Sequence, residues 1–210
     1  MGVVMYEFSK SVKMHPWVGE KYKASHPKLL ILGESLYDQL AQKDTVIEMI
    51  KRIMTDENYA FFTKLGNVFS NPEQWEYLGG DNYKLNKEKF WNDVAFYEYI
   101  QKPLSHAKEI VPPNLWEEAV EPFKEVLEFL QPDVVVALGY DTFEHLPVEG
   151  EGGKVYKGKK EMPTRKYKLR NGKEVIVCGI QHPSSVGFSN EQWIKHFGKF
   201  LKDQYNIVYE

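Results

Sequence analysis

The chain has 210 residues, 42% hydrophobic and 27% charged, enough for one sizeable core under an ordinary charged surface. Its net charge of −3 excludes a whole-molecule field that attracts nucleic acid, so any such role needs a local patch. The single cysteine, Cys178 in VIVCGI, excludes an intramolecular disulfide and any all-cysteine metal or iron–sulfur site, and it points to a reducing, cytoplasmic setting.

Residues 1–27 mix polar and apolar positions, carry His-Pro pairs at His15 and His26, and read as an N-terminal extension. No basic leader accompanies the first apolar residues, so no signal peptide is expected, and Tyr6 stands where a myristoylation signal needs Ser or Thr. In KLLILGESLYD, residues 28–38, the apolar run Leu29, Leu30, Ile31, Leu32 breaks at Gly33. That pattern predicts a strand buried on both faces inside a parallel sheet. Chemistry in open α/β sheets gathers beyond the carboxyl ends of such strands. Here that place holds Glu34, Ser35, Tyr37 and Asp38. A polar turn in which Ser35 or Asp38 caps the next helix accounts for them equally well.

Apolar spacing at Leu40, Val46, Ile47, Ile50, Ile53 and Met54 predicts an amphipathic helix over 38–54. A second helix is expected over 58–65, stopped by Gly66, and residues 70–88 read as an exposed excursion. FWNDVAFYEYI, residues 90–100, is rich in aromatic and branched side chains and predicts the second strand. Prolines make 102–114 a loop, and a helix follows over 115–130, with Pro122 bending it or marking its start. DVVVALG, residues 133–139, predicts a third buried strand, followed by a short helix containing Phe143 and Leu146.

Residues 148–173 carry nine Lys and Arg residues, and KYKLRNGKEVIV predicts a hairpin turning at Asn171-Gly172. Its second arm continues as a fourth buried strand, 174–180, that exits into QHPSS. Ser189 and Gln192 form a capping box for the last helix. Together these elements predict one α/β domain over 1–210, a layered fold with a mainly parallel sheet and with 148–173 as a basic hairpin insertion.

Right-handed crossovers would bring the strand exits at Gly33, Asn92, Gly139 and His182 to one edge. His182, at a strand exit before Pro183, is a candidate electrophile or general acid able to stabilise an oxyanion, although a lone histidine in a surface turn is commoner. Asn92 can read a base edge, since one amide offers a donor and an acceptor together. Phe61, Phe62 and Phe69 are candidates for stacking on a flat ring, with core packing the plainer role.

GESLY followed by HPSS, with the Asn-bearing strand and QPDVVVALG between them, resembles the uracil-DNA glycosylase superfamily over residues 28–197. The first motif of that superfamily is G-Q-D-P-Y in its best-known branch and G-E-A-P-G or G-x-N-P-G in others; the second is H-P-S or H-P-A. The resemblance implies a three-layer α/β/α sandwich around a central four-stranded parallel sheet, and hydrolysis of the N-glycosidic bond of a flipped-out uracil or other damaged base in single- or double-stranded DNA. It implies no metal and no organic cofactor; no apolar segment approaches the length of a membrane span, and no obligatory protein partner is evident in the sequence. Residue by residue, His182 would hydrogen-bond the base O2, Asn92 would read the base edge and Tyr37 would lie against C5. The backbone from Gly33 through Glu34 to Ser35 would line the pocket, Ser184 and Ser185 would touch phosphates, and Val186, Gly187 and Phe188 would enter the duplex.

The sequence departs from the superfamily at Ser35, where the best-known branch has its water-activating Asp, and at Leu36, where it has Pro. Serine by itself is no general base at neutral pH. Either Glu34 or Asp38 would then position the water, or hydrolysis would be slow, or the chain would be no glycosylase. The basic hairpin either adds phosphate contacts or simply faces water. A second resemblance, of GESL to the G-D-S-L block of SGNH esterases and of FWND to their G-x-N-D block, implies Ser35 as nucleophile, Asn92 as oxyanion donor and His182 as base. There Glu34, Phe90 and Gly179 depart from the expected Asp, Gly and Asp. The remaining alternative is a non-catalytic module of the same fold that binds nucleic acid or a nucleotide.

Overall fold

A computed structural model describes residues 7–55, 58–79, 82–106, 109–148 and 162–208. The elements run β1 (Trp17–Val18), β2 (Leu29–Gly33), α1 (Thr45–Thr55), α2 (Ala60–Phe69), β3 (Trp75–Gly79), β4 (Asn82–Leu85), α3 (Lys87–Asp93) and β5 (Ala95–Glu98). They continue through α4 (Pro113–Glu118), α5 (Val120–Leu130), β6 (Val134–Leu138), α6 (Tyr140–His145), β7 (Thr164–Lys168), β8 (Glu174–Ile180) and α7 (Asn190–Tyr205).

β2 and β6 are uninterrupted apolar runs because helices cover both of their faces. Leu30, Leu32, Val135 and Ala137 pack in one core with Trp116 of α4 and Phe123 of α5. Leu29, Ile31, Val134 and Val136 pack in the other with Ile50 of α1, Leu65 of α2, Trp91 of α3 and Trp193 of α7. Leu30, Ile31 and Leu32 are all at 0% exposure, and burying a side chain of this size stabilises the fold by roughly 1.5–3 kcal/mol.

The expected four-stranded parallel sheet is corrected by the topology. The main sheet has six strands in the order β1-β5-β2-β6-β8-β7, and β3 and β4 form a separate two-stranded sheet. Within the main sheet β5, β2, β6 and β8 are parallel neighbours, whereas β1 and β7 pair antiparallel at the two edges. Trp17 and Val18, in the segment taken for an extension, pair with Phe96 and Ala95, and the first hairpin arm adds to β8. This mixed architecture is not the one that the uracil-DNA glycosylase resemblance implies for a glycosidase.

Several local expectations change too. Residues 90–93 are helical, not strand, because Asn86 caps α3 by accepting a hydrogen bond from Lys89 N, and the strand begins only at Ala95. Gly66 does not stop α2; it lies where a Cβ would sit 2.2 Å from Leu85 Cδ2, so the glycine admits the 75–85 hairpin. The helix expected over 38–54 starts at Thr45, and the one over 115–130 divides into α4 and α5 at Ala119. Ser189 accepts from Gln192 N at the start of α7. Among the described residues no helix is long and apolar enough to cross a membrane.

The basic hairpin offers few of its described cations freely, Lys168 being exposed. Arg165 is buried, Lys166 lies 3.3 Å from Glu174, Arg170 3.9 Å from Glu128 and Lys173 2.6 Å from Asp133. Lys154, Lys157, Lys159 and Lys160 lie outside the described residues.

Candidate functional site

Parallel pairing of β5, β2, β6 and β8 sends their carboxyl ends to one edge, where Gly33 is in register with Glu98 and Leu138 with Ile180. Beyond the sheet the first two exits stay joined. Tyr99 N donates to Gly33 O at 3.0 Å, Ile100 N to Glu34 O at 2.9 Å and Leu104 N to Leu36 O at 2.9 Å. Ser35 belongs to this seam. It is 5% exposed, and its hydroxyl faces the carbonyls of Leu36 at 3.1 Å and Lys102 at 3.0 Å. One hydroxyl proton aimed at two carbonyls is a structural tie, not a nucleophile held by a base.

His182 follows β8. Its Nδ1 accepts from Ser184 N at 3.2 Å, which leaves the hydrogen of the neutral ring on Nε2. The ring stacks on Phe61 with centroids 5.4 Å apart and planes 28° from parallel. Burial, reinforced by the Lys64 ammonium, lowers its pKa, so it remains neutral at neutral pH. Lys64 Nζ in turn donates to Pro183 O at 2.6 Å. Gly139 backs the ring at φ +109°, a conformation that side chains disfavour.

Glu34 is half-buried, and burial together with the Asp141 charge raises its carboxyl pKa, with His145 opposing. Asp141 and His145 belong to α6. His145 stacks on Trp116 at 4.1 Å and 10°, and its Nδ1 bonds Asp141 O at 2.8 Å. Tyr37 is 40% exposed, and burial plus the charges of Glu34 and Glu98 push its phenol up to about 12. Asp38 closes a turn by accepting from Leu40 N at 2.9 Å, and Ser184 is exposed with its backbone engaged by His182.

The structure thus gathers Gly33, Glu34, Ser35, Tyr37, His182 and Ser184 at the carboxyl edge. Asn92 is not among them. It lies in α3, ahead of β5, where its carbonyl accepts from Lys21 N at 2.9 Å at the opposite edge of the sheet. Ser35, Asn92 and His182 therefore do not assemble as an esterase triad would require. The residue that does leave β5 at this edge is Glu98, 5% exposed, with a carboxyl that burial and then Glu34 push up to about 8. Its signal was a single acid inside the apolar run AFYEYI. Of the aromatic candidates, Phe61 reaches the edge, Phe62 packs against Trp91 and Phe96, and Phe69 is core.

A cleft of about 280 Å³ opens at the opposite, amino edge beside Gln74 and Asp93. Gln74 Nε2 already donates to Asp93 Oδ2 there at 2.7 Å, and none of the strand-exit acids lines it. Among the described residues no group of three or more His, Cys, Asp or Glu side chains could hold a metal ion. No protein-family model matches the chain, and no curated protein matches it either.

Proposed function

We propose that the carboxyl edge takes up a nucleobase of single- or double-stranded DNA and hydrolyses its N-glycosidic bond. The observation that carries this reading is a neutral His182, protonated on Nε2 and stacked on Phe61, at the same sheet edge as the half-buried Glu34 carboxyl. Hydrolysis requires water to attack the anomeric carbon while the base departs with the bonding electron pair. Glu34, as the carboxylate, accepts the proton of that water. His182 donates Nε2–H to a base carbonyl on which the negative charge collects, a kind of preorganised donor that contributes roughly 10²–10³ in rate.

The rings of Phe61 and Tyr37 suit the faces of a flat base. Flipping a base out costs a few kcal/mol, and the fully exposed Val186, on the loop after His182, suits the gap that it leaves. Support comes from these groups and not from the architecture of the sheet. The reaction as written needs no metal or organic cofactor, and the buried free thiol of Cys178 fits a cytoplasmic setting.

The test is single-turnover incubation with oligonucleotides carrying uracil, hypoxanthine or xanthine, scored for free base. Release of any of these supports the reading. Intact oligonucleotides throughout overturn it and leave a binding module.

A further inference from the structure

Glu98 has no part in the reaction written above, yet it is the strand-exit acid held most tightly. Its carboxyl occupies the space that a side chain at residue 33 would need: a Cβ on Gly33 would lie 2.2 Å from Glu98 Oε2. Two other buried polar side chains of this seam are engaged. Ser35 faces two carbonyls, while Gln101 donates to Glu98 O at 2.7 Å and accepts from Met14 N at 3.0 Å. Glu98 Oε2, by contrast, is buried without a hydrogen-bond partner. Leaving such a group unpaired destabilises the fold, a cost that a ligand supplying the partner would offset.

We propose that Glu98 is the base-reading side chain of this edge, pairing as a neutral carboxyl with a nucleobase edge on which a hydrogen-bond donor adjoins an acceptor. This depends on the nucleobase reading of the site and adds how the base is held. A neutral carboxyl offers one O–H donor beside one C=O acceptor, whereas the ionised form only accepts. Because the proton can sit on either oxygen, an N–H beside C=O and an NH2 beside a ring nitrogen both fit. His182 Nε2–H adds the demand for a ring carbonyl. The exits of β5 and β8 are three strand spacings apart, about 14 Å, which leaves room for one ring with a hydrogen bond at either side. The ligand class that meets both demands is a pyrimidine with a carbonyl beside its glycosidic nitrogen.

The groups that set the protonation of Glu98 are its own burial and the Glu34 charge, with Tyr37 as the other ionisable neighbour beyond β2. β1 contributes Trp17 and Val18, which do not titrate. The ionisable residues of α1, which packs on β5, are Glu48, Lys51 and Arg52, all exposed. The carboxyl is therefore neutral at neutral pH and ionises at about 8.

The experiment measures binding of free uracil, and of a uracil-bearing single-stranded oligonucleotide, to the wild type and to Glu98→Gln at about pH 6.5 and about pH 9, with base release followed alongside. Expected is wild-type binding about tenfold weaker at the higher pH, as the competent neutral fraction falls to about a tenth. Glu98→Gln, whose amide keeps a donor beside an acceptor, should bind alike at both. Wild-type binding independent of pH, the same pH dependence in Glu98→Gln, or no binding at either pH overturns the proposal. Should Glu98→Gln fail to fold, carboxyl 13C NMR on the wild type decides: bound uracil must raise the titration midpoint of Glu98, and an unmoved midpoint overturns the proposal. Base release with pH-independent binding keeps the hydrolysis reading and removes this one. Glu98-dependent, pH-gated binding without release does the reverse.

Discussion

Glu98 and Gly33 fix one another, and the fold carries the consequence in its pH dependence. The carboxyl of Glu98 is raised by burial, then by Glu34, from the ordinary 4.5 to about 8 in the folded chain. Between those values the folded state holds a proton that the unfolded state releases, so stability must fall as pH rises. The stability associated with neutral Glu98 is fully present below about 4.5 and lost as pH climbs through about 8. Urea midpoints measured across this window should decline in the wild type, and Glu98→Gln should remove that decline. At the same scale, GESLY and HPSS were legible because each follows an apolar run that ends abruptly. Glu98 was hidden by the aromatic residues around it, which suit helix and strand alike, and Asn92 was misplaced for the same reason.

At the scale of elements, the hairpin that reads as a basic surface is partly a clamp. Arg165 of β7 is 9% exposed, donates from one terminal nitrogen to Phe143 O at 2.7 Å and Leu146 O at 2.9 Å, and lies 4.4 Å over the Phe143 ring. It thereby ties the edge strand to the carboxyl end of α6, the helix that brings Asp141 and His145 towards Glu34. Lysine cannot reproduce a planar donor that also stacks on a ring. Arg165→Lys should cost roughly 2 kcal/mol of stability, read as a lowered denaturation midpoint.

Strands β2, β6 and β8 were legible from their apolar runs, because burial on both faces removes alternation. β1 was not, since a two-residue strand has no period to detect, and its pairing with Phe96 and Ala95 is fixed only by tertiary contact. The inward turn of Arg165 was equally invisible, because a run of cations does not say which of them are paired.

For the molecule as a whole, the net charge is −3, and within the hairpin Arg165 is buried while Lys166, Arg170 and Lys173 are paired with acids, so of its described cations only Lys168 is exposed and outside an ion pair to meet a phosphate backbone. DNA binding should therefore depend only weakly on salt, with a log–log slope of magnitude below about 3, measured by fluorescence anisotropy across a salt series. A steep slope would contradict this reading of the surface. The α/β class was legible in the alternation of apolar runs with helical periods. The mixed six-stranded sheet was not, because both added strands are short edge elements whose partners lie far away in sequence.

The most direct measurement is the single-turnover rate of base release by the wild type, His182→Ala and Glu34→Gln, followed against pH. Loss of the Nε2–H donor in His182→Ala should slow release roughly 10²–10³-fold. Loss of the base in Glu34→Gln should slow it roughly 10²–10⁴-fold. Wild-type release should fall as pH drops through the raised value of Glu34. Release at the wild-type rate by either variant, or an acid limb that survives in Glu34→Gln, would contradict the roles assigned to this edge.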